Sequence, residues 1–404
     1  MTQTSETNYF FFEDREALVL AGGGARAAYQ VGVLQAIAEW LPEEAPCPFQ
    51  VLVGTSAGAI NASALTARAD RLRDGVKALE RVWAGFSIEQ VVQTDNTSMA
   101  RAGLHWLMSL ASGGWLLPPP RSLLDTTPLR ELLTREIAAD HIQGHIGEGP
   151  IRALAVAATS YSTGQAVAFF DAVPGLQEWR RARSAGVRRE IDVDVLMASS
   201  SIPFFFPASR VDDQYFGDGA MRQLAPLSPA VHLGANRLLV VGTRTESPAS
   251  PADGPRDSAP SPGHLLGFVL DSLFTDGLSM DLERLHQINQ LMEAGEAGGG
   301  SSRRPIETLV IQPSIDPTVI AKKYVNALPR SFRRLLRTIG ALEARGGLLV
   351  SYLLFESVYT TELMKLGRKD AWAKRDEIIS FLCDPFKAAA SSRDPVAMQS
   401  RSRR

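Results

Sequence analysis

The chain has 404 residues, of which 45% are apolar and 21% are charged, as in an ordinary globular protein. Its 42 basic and 44 acidic residues give a formal net charge of −2, which argues against a dedicated nucleic-acid-binding protein. The two cysteines, Cys47 and Cys383, are far apart, and no Cys/His cluster of the zinc type exists, so we expect neither a disulfide framework nor a metal site.

The sequence has no feature of a signal peptide or a membrane span. Residues 1–15, interpreted as an N-terminal extension, carry acidic side chains where a signal peptide has a basic and then an apolar region. No uninterrupted run of about 18 apolar residues occurs. These observations predict a cytoplasmic protein.

The first 70 residues predict an alternation of strands and helices. The apolar run Ala17–Ala21 ends in three glycines, and Ala27–Trp40 follows with apolar residues at helical spacing. A second strand-like run, Phe49–Val53, leads through a turn of small residues into the alanine-rich helix Ala57–Arg68. This alternation is typical of a mainly parallel sheet with helices on its faces.

Further elements follow along the chain. Strands are predicted at Arg152–Ala158, Ala166–Phe170, Gln214–Phe216, Arg237–Gly242 and Glu307–Gln312. Helices are predicted at Leu129–Ala139, Val193–Ser199, His264–Met292 and Arg330–Ile339. Residues 247–263 and 293–305 have the composition of flexible loops, and the basic tail 387–404 that of a disordered segment.

The turn after the second predicted strand contains a candidate nucleophile. Gly54-Thr55-Ser56-Ala57-Gly58 fits the pattern G-x-S-x-G, with a strand before it and a helix after it, as a nucleophile elbow requires. Gly54 and Gly58 allow the chain to pass closely, and the Ala57 amide at the helix start can stabilise an oxyanion. The alternative is an ordinary strand-to-helix turn.

A serine nucleophile needs a base to take its proton. The six histidines are His105, His141, His145, His232, His264 and His286. The last three could formally complete a Ser…Asp/Glu…His order, but none of these three lies in a glycine-flanked loop at a strand end, so we interpret them as structural or exposed. Asp218 is a better candidate because it follows an aromatic strand between Gly217 and Gly219. A carboxylate placed against a serine hydroxyl can act as general base. The alternative is a common Asp-Gly turn.

The glycine-rich segment Gly22–Arg26 lies between the first strand and the first helix. It lacks the Gly-Lys-Ser/Thr of a P-loop, and the dinucleotide pattern would require glycine at Ala27. Successive backbone amides in such a turn can form an oxyanion hole. With a serine elbow on the next strand, we favour that interpretation.

These three motifs, GGGAR, GTSAG and DGA (Asp218–Ala220), occur in the order found in patatin-like phospholipases, and the sequence resembles the bacterial branch of that family. Leu124–Leu133 and Ala198–Ser209 add to the similarity, which covers roughly residues 16–312. One departure is Ala27, where the family commonly has glycine.

The resemblance implies a three-layer α/β/α fold with a mainly parallel central sheet. Residues 16–312 would form the catalytic domain, followed by a helical portion, 313–386. The implied activity is a phospholipase A or lysophospholipase type of lipid acyl hydrolysis, without metal or cofactor. The implied nucleophile is Ser56 and the implied base Asp218. The implied oxyanion-hole residues are Gly22, Gly23, Gly24, Ala25, Arg26 and Ala57.

Several segments are candidates for lipid contact, each with a structural alternative. Phe204, Phe205 and Phe206 would line an acyl channel or pack in the core. Residues 103–120 would form a lid or a buried insertion. Residues 321–337 carry six basic and no acidic side chains with apolar residues at helical spacing. They would contact an anionic membrane at its inner face or form a packed helix with a solvated basic rim.

Two other functions remain open from the sequence. One is a different serine esterase or a thioesterase, for which a single essential histidine would be the distinguishing feature. The other is a non-catalytic lipid-binding protein on the same fold.

Overall fold

The computed structural model describes residues 15–95, 103–105, 108–109, 111–113, 115, 122–137, 139–245, 259–293, 305–343 and 346–382. The tail 387–404, the greater part of both predicted loops, half of 103–120, and Cys383 lie outside these residues. Cys47 is buried as a free thiol.

The described residues form one sheet and the helices around it. The strands are β1 (Glu16–Leu20), β2 (Val51–Thr55), β3 (Ala153–Ser160), β4 (Ala166–Ala172), β5 (Trp179–Arg180), β6 (Ser184–Arg188), β7 (Ser209–Val211), β8 (Gln214–Asp218), β9 (Arg237–Val241) and β10 (Glu307–Ile311). The helices are α1 (Ala28–Trp40), α2 (Ala57–Thr66), α3 (Leu72–Ala84), α4 (Thr127–Glu136), α5 (Ala139–His145), α6 (Val193–Ser199), α7 (Ser228–His232), α8 (Pro262–Glu293), α9 (Pro317–Tyr324), α10 (Arg330–Thr338), α11 (Gly347–Leu353), α12 (Ser357–Ala373) and α13 (Arg375–Phe381). Short 3-10 turns span Gly24–Ala27, Ile88–Gln90, Gly219–Met221 and Val325–Ala327.

The sheet has the strand order β10-β9-β1-β2-β3-β4-β6-β5. The first five strands in this order are parallel to their neighbours, whereas β4 is antiparallel to β3. The hairpin of β7 and β8 adds to the sheet by pairing β8 antiparallel to β3. The predicted, mainly parallel sheet is confirmed.

Alternate residues of the central strands enter two separate cores. Leu18 and Leu20 of β1 point to a core shared with helices such as α1 and α2, whereas Ala17 and Val19 belong to a second core that includes residues of α7 and α8. Helices therefore cover both faces of the sheet. This is the three-layer α/β/α architecture that the resemblance implied.

All seven strands predicted from the sequence are present, and the predicted helices differ only at their ends. Helix α4 begins at Thr127, two residues before the predicted start, with Pro128 in its first turn, where a missing N–H costs no helical hydrogen bond. It ends at Glu136, and the separate helix α5 follows. Helix α8 begins at Pro262, inside the predicted loop 247–263.

Helix α12, which follows β10 in the chain, packs closely against α1. Helices α1 and α12 are in backbone contact: a Cβ on Gly32 would lie 1.9 Å from the Met364 carbonyl oxygen, and one on Gly367 would lie 2.0 Å from the Tyr29 carbonyl oxygen. Glycine is therefore needed on both helices at this crossing. No helix in the described ranges is long and apolar enough to cross a membrane.

Candidate active site

Ser56 occupies a strained turn between β2 and α2. Its φ of 55° and ψ of −129° are rare for any residue except glycine. A Cβ on Gly54 would lie 2.3 Å from the Ala59 Cα, and one on Gly58 would lie 2.3 Å from the Leu20 carbonyl oxygen. Both flanking positions thus require glycine, as the G-x-S-x-G pattern predicts for an elbow.

Asp218 ends β8 at the start of the 3-10 turn Gly219–Met221. Its Oδ1 accepts a hydrogen bond from the Ala220 amide at 2.9 Å, whereas Oδ2 has no hydrogen-bond partner among the residues that the structure describes. A Cβ on Gly219 would lie 2.4 Å from the Ala157 carbonyl oxygen. The Asp-Gly turn is therefore pressed against β3.

Strand β3 brings Ser56 and Asp218 together. Thr55, the last residue of β2, pairs with Ala157, and Asp218, the last residue of β8, pairs with Ala158. At Ala158 and Thr159, one edge of β3 pairs with β4. Strand β8 therefore pairs with the other edge of β3, the edge that β2 occupies up to Ala157. Since β2 runs parallel and β8 antiparallel to β3, the two strands end head to head.

A run of three serines contacts the backbone of both residues. The Ser56 amide donates to the Ser199 Oγ at 2.9 Å, and the Asp218 amide donates to the Ser201 carbonyl at 2.9 Å. Ser200, between them, lines the cavity beside Ser56. Its buried Oγ has no hydrogen-bond partner within the described part of the chain, which is unusual for a buried hydroxyl.

The Asp218 carboxyl is only 1% exposed, and burial raises its pKa to about 7 because the charged form loses its hydration. The Ser56 hydroxyl and the Ala220 amide oppose this shift. Since Oδ2 accepts no hydrogen bond from any described residue, the Ser56 contact is looser than a formed hydrogen bond; such contacts tighten when substrate binds. A carboxyl with this pKa can exchange a proton at neutral pH.

The glycine-rich segment lies directly beside Ser56. A Cβ on Gly22 would lie 3.3 Å from the Ser56 Cβ. The Thr243 Oγ1 donates to the Gly22 carbonyl at 2.8 Å. Because the peptide bond is trans, the Gly23 amide then points away from Thr243.

Amides at two helix starts remain without a helical acceptor. The first backbone hydrogen bond of the 3-10 turn runs from the Arg26 amide to the Gly23 carbonyl at 3.0 Å, so the amides of Gly24 and Ala25 have no acceptor within the turn. The Ala57 amide is the first N–H of α2 and has none within that helix. These groups are donors of the kind that an oxyanion hole uses, whereas the Arg26 amide is already engaged.

The sequence profile described as patatin-like phospholipase matches residues 18–231, just over half of the chain. The chain belongs to the patatin-like phospholipase family. Membership supports a lipid acyl hydrolase in general terms. None of the curated proteins compared by sequence matches this patatin-like chain.

Two solved structures of low similarity were also found. VipD from Legionella pneumophila is 14% identical, with a TM-score of 0.34 over 87% of this chain and 67% of VipD. Human GIVD cytosolic phospholipase A2, solved with a fluorophosphonate inhibitor, is 12% identical, with a TM-score of 0.39 over 94% of this chain and 60% of the human enzyme. The patatin-like chain therefore spans less than two thirds of the human enzyme.

An apolar cavity of about 60 Å³ opens at Ser56 in this patatin-like protein. It follows α2 on one side, where Ala57, Ile60 and Ala64 lie on successive turns, and ends near Arg68. Ala57 and Ala64 are roughly 10 Å apart along the helix axis, and Arg68 lies just beyond the end of α2. The opposite walls come from α3, α4 and Phe206. The lining is almost entirely apolar, and none of the described residues that form it is histidine.

The three phenylalanines proposed for an acyl channel occupy three different environments. Phe206 lines the cavity. Phe205 is buried in the core and is not among the cavity's lining residues. Phe204 is 68% exposed, with a φ of 70°. The backbone carbonyls of Phe204 and Phe205 accept hydrogen bonds from Leu123 and Leu124, which hold this segment against the chain before α4.

The basic segment 321–337 forms α9, a short turn and α10. Phe332 and Leu336 on the apolar face of α10 are fully buried, whereas Arg330, Arg334 and Arg337 are exposed. The helix is therefore packed into the protein with a solvated basic rim, and contact with a membrane through this rim remains a proposal.

Sequence reasoning missed three hydroxyl residues that contact this site. Thr243 holds the Gly22 carbonyl, Ser199 holds the Ser56 amide, and Thr159 Oγ1 donates to the Asp218 carbonyl at 2.9 Å. Thr243 could have been found from its place just after β9, since ends of neighbouring parallel strands lie at one sheet edge. Within the described residues, no group of three or more metal-binding side chains occurs.

Proposed function

We propose that this protein hydrolyses acyl ester bonds of lipids, as a phospholipase A or lysophospholipase, with Ser56 as nucleophile and Asp218 as general base. The observation that carries this proposal is the buried Asp218 carboxyl, with a pKa near 7, meeting the strained Ser56 turn at the end of an apolar cavity. Membership of the family supports the general class of reaction.

In the first step, the Ser56 hydroxyl attacks the carbonyl carbon of the bound ester while its proton passes to Asp218. The amides of Gly23, Gly24, Ala25 and Ala57 supply donors for the negative oxygen of the tetrahedral intermediate. When the intermediate collapses, the bond to the leaving alcohol breaks and Asp218 returns the proton to it. An acyl group then remains on Ser56.

The second step repeats this sequence with water. Asp218 takes a proton from a water molecule as the water oxygen attacks the acyl carbon, and the second intermediate releases the fatty acid. The proton returns to the Ser56 oxygen, so the enzyme is regenerated. A pKa near 7 suits both directions of transfer, because a much stronger acid would accept the proton poorly.

The apolar cavity is the proposed site of the acyl chain. With the ester carbonyl at Ser56, the chain would extend along α2 toward Arg68, burying its methylene groups against the side chains of α3 and α4. The lipid head group would remain outside this channel. Among the three phenylalanines, Phe206 lines this cavity and would contact the acyl chain.

Mass spectrometry of a lipid mixture tests the proposal. Native protein should release fatty acid from one or more acyl-ester lipids, and Ser56→Ala should release none. Ser63→Ala is the matched control, because Ser63 is buried in the same helix, its Oγ has no partner within the described residues, and it does not line the cavity. Equal release by native protein and Ser56→Ala would refute the proposal; release from thioesters alone would redirect it to a thioesterase.

A further inference from the structure

The side chain of Arg26, the last residue of the glycine-rich segment, is bound by residues of α8, α9 and α11. The residue is 1% exposed. Its Nε and Nη2 donate to the Ser351 Oγ at 2.9 and 2.5 Å, Nη1 donates to the Tyr352 hydroxyl at 3.0 Å, and Nη2 donates to the Thr318 Oγ1 at 3.1 Å. Nη1 also forms an ion pair with Asp271 at 3.4 Å.

All of these partners lie beyond residues 18–231, the part of the chain that the family profile matches. Asp271 belongs to α8, Thr318 to α9, and Ser351 and Tyr352 to α11. The guanidinium also lies over the Tyr352 ring, 3.9 Å from its centroid. A residue inside the family motif is thus bound by helices outside the family match.

The backbone of the glycine-rich segment rests on the same helices. A Cβ on Gly24 would lie 2.4 Å from the Tyr352 carbonyl oxygen, and one on Gly22 would lie 2.6 Å from the ring of Phe274 in α8. Phe274 stacks on Tyr352 with ring centroids 5.3 Å apart. Helices α8 and α11 therefore contact the segment at both ends.

A second connection joins α8 to the other end of the segment. Asp271 pairs with Arg244 at 3.1 Å, in addition to Arg26. Arg244 follows Thr243, whose hydroxyl holds the Gly22 carbonyl. The segment is thus tied to Asp271 through Arg26 on one side and through Thr243 and Arg244 on the other.

We infer that α8, α9 and α11 form part of the machinery that shapes the oxyanion hole, with Arg26 as the positioning residue that joins the glycine-rich segment to them. This rests on the proposed function. Because Arg26 is buried and cannot lose its charge, removal of an acceptor leaves a buried N–H unpaired, and the segment must move to restore hydrogen bonds. A shift of about 1 Å in such a segment can lower catalysis roughly 100-fold.

The test uses two variants of the full chain. Ser351→Ala removes the acceptor for two of the Arg26 N–H groups, and Thr318→Val removes the acceptor for a third N–H group. Thr338→Val is the control, because Thr338 is exposed and its hydroxyl donates to the Arg334 carbonyl within α10. We expect kcat for a soluble ester to fall roughly 10- to 100-fold in both test variants, with KM within about twofold of native. The control should keep native kcat and KM.

Rates are measured well below the unfolding temperature of each variant, so that lost stability alone does not lower kcat. Native kcat in folded Ser351→Ala and Thr318→Val would overturn the inference; if Ser351→Ala does not fold, the kcat of Thr318→Val decides. Failure of the proposed function is distinguishable, because Ser56→Ala would then keep native turnover.

Discussion

Thr55 and Asp218 lie end to end beside one strand, opposite the consecutive residues Ala157 and Ala158 of β3. Backbone pairing, rather than a flexible loop, therefore fixes how far Asp218 is from the residue after Thr55, the proposed nucleophile Ser56. Sites held on strands keep their geometry better than sites on loops.

The pH dependence of turnover should report the ionisation of Asp218. Because only the ionised carboxylate can accept the Ser56 proton, and its pKa is about 7, kcat/KM should rise with pH and level off above about 7. Well below pH 7, kcat/KM should fall roughly tenfold for each pH unit. The measurement is kcat/KM for an uncharged ester across this range. A profile that is flat through neutral pH would contradict Asp218 as the base.

Asp218 should also lower the stability of the protein as pH rises. Its folded-state pKa of about 7 lies above the ordinary 3.8, so the folded state binds the proton more tightly than the unfolded state. Stability is therefore highest below the ordinary pKa and is lost as pH rises to about 7, by on the order of 4 kcal/mol in total. Asp218→Asn removes this penalty and keeps an oxygen for the Ala220 amide.

Urea unfolding at about pH 8 and about pH 5 measures this difference. Asp218→Asn should be more stable than native protein at the higher pH, and its advantage should shrink at the lower pH. Asp213→Asn is the control, because that side chain is almost fully exposed. An Asp218→Asn variant that is no more stable than native at the higher pH would show that burial does not penalise the carboxylate.

Neighbouring serines should respond differently to the same substitution. Ser199→Ala leaves the buried Ser56 amide without its acceptor and should cost about 1–3 kcal/mol of unfolding free energy, together with part of kcat. Ser200→Ala removes a hydroxyl that has no partner in the described part of the protein, so its unfolding free energy should stay at the native value. Urea unfolding compares the two. Equal destabilisation by both substitutions would contradict the role of Ser199.

The parts of the site that the sequence predicts depend on local signals. Gly54, Gly58 and Gly219 mark positions where a Cβ would strike backbone atoms, and the apolar runs before these motifs mark buried strands. The partners of Arg26 carry no such signal, because Asp271, Ser351 and Tyr352 are brought near only by packing of distant helices. The short strands β5, β6 and β7 were likewise missed, since their pairing partners and not their own residues determine them.

The amphipathic helix at 330–338 shows another limit of structure prediction from sequence periodicity. Its pattern predicts one apolar and one basic face, and the structure has both. Periodicity does not distinguish a face that meets a membrane from one that meets the protein's own core. Buried Phe332 and Leu336 show that the core occupies the apolar face here.

Filling the cavity partway along α2 should shorten the preferred acyl chain. Ala64 lies about 10 Å along the helix from Ala57, so Ala64→Leu should obstruct the inner part and leave the Ser56 end open. Turnover of palmitate esters should fall at least roughly tenfold relative to butyrate esters, because long chains would have to leave apolar surface in water. The measurement is kcat/KM for p-nitrophenyl esters from butyrate to palmitate.

Ala84→Leu provides the control for this experiment. Ala84 is exposed on α3, the helix that forms another wall of the cavity, so the same added side chain should leave the chain-length preference at the native value. If Ala64→Leu turns over palmitate and butyrate esters in the native ratio, the acyl chain does not occupy the cavity along α2.

Covalent labelling by a fluorophosphonate, followed by mass spectrometry of the peptides, tests the central claim most directly. Native protein and Ser63→Ala should gain one adduct, on Ser56, and Ser56→Ala should gain none. Asp218→Asn should be labelled about 10²- to 10⁴-fold more slowly, because the serine has lost its base. Native labelling rates in Asp218→Asn, or an adduct of the same yield on Ser56→Ala, would contradict the proposed pair of Ser56 and Asp218.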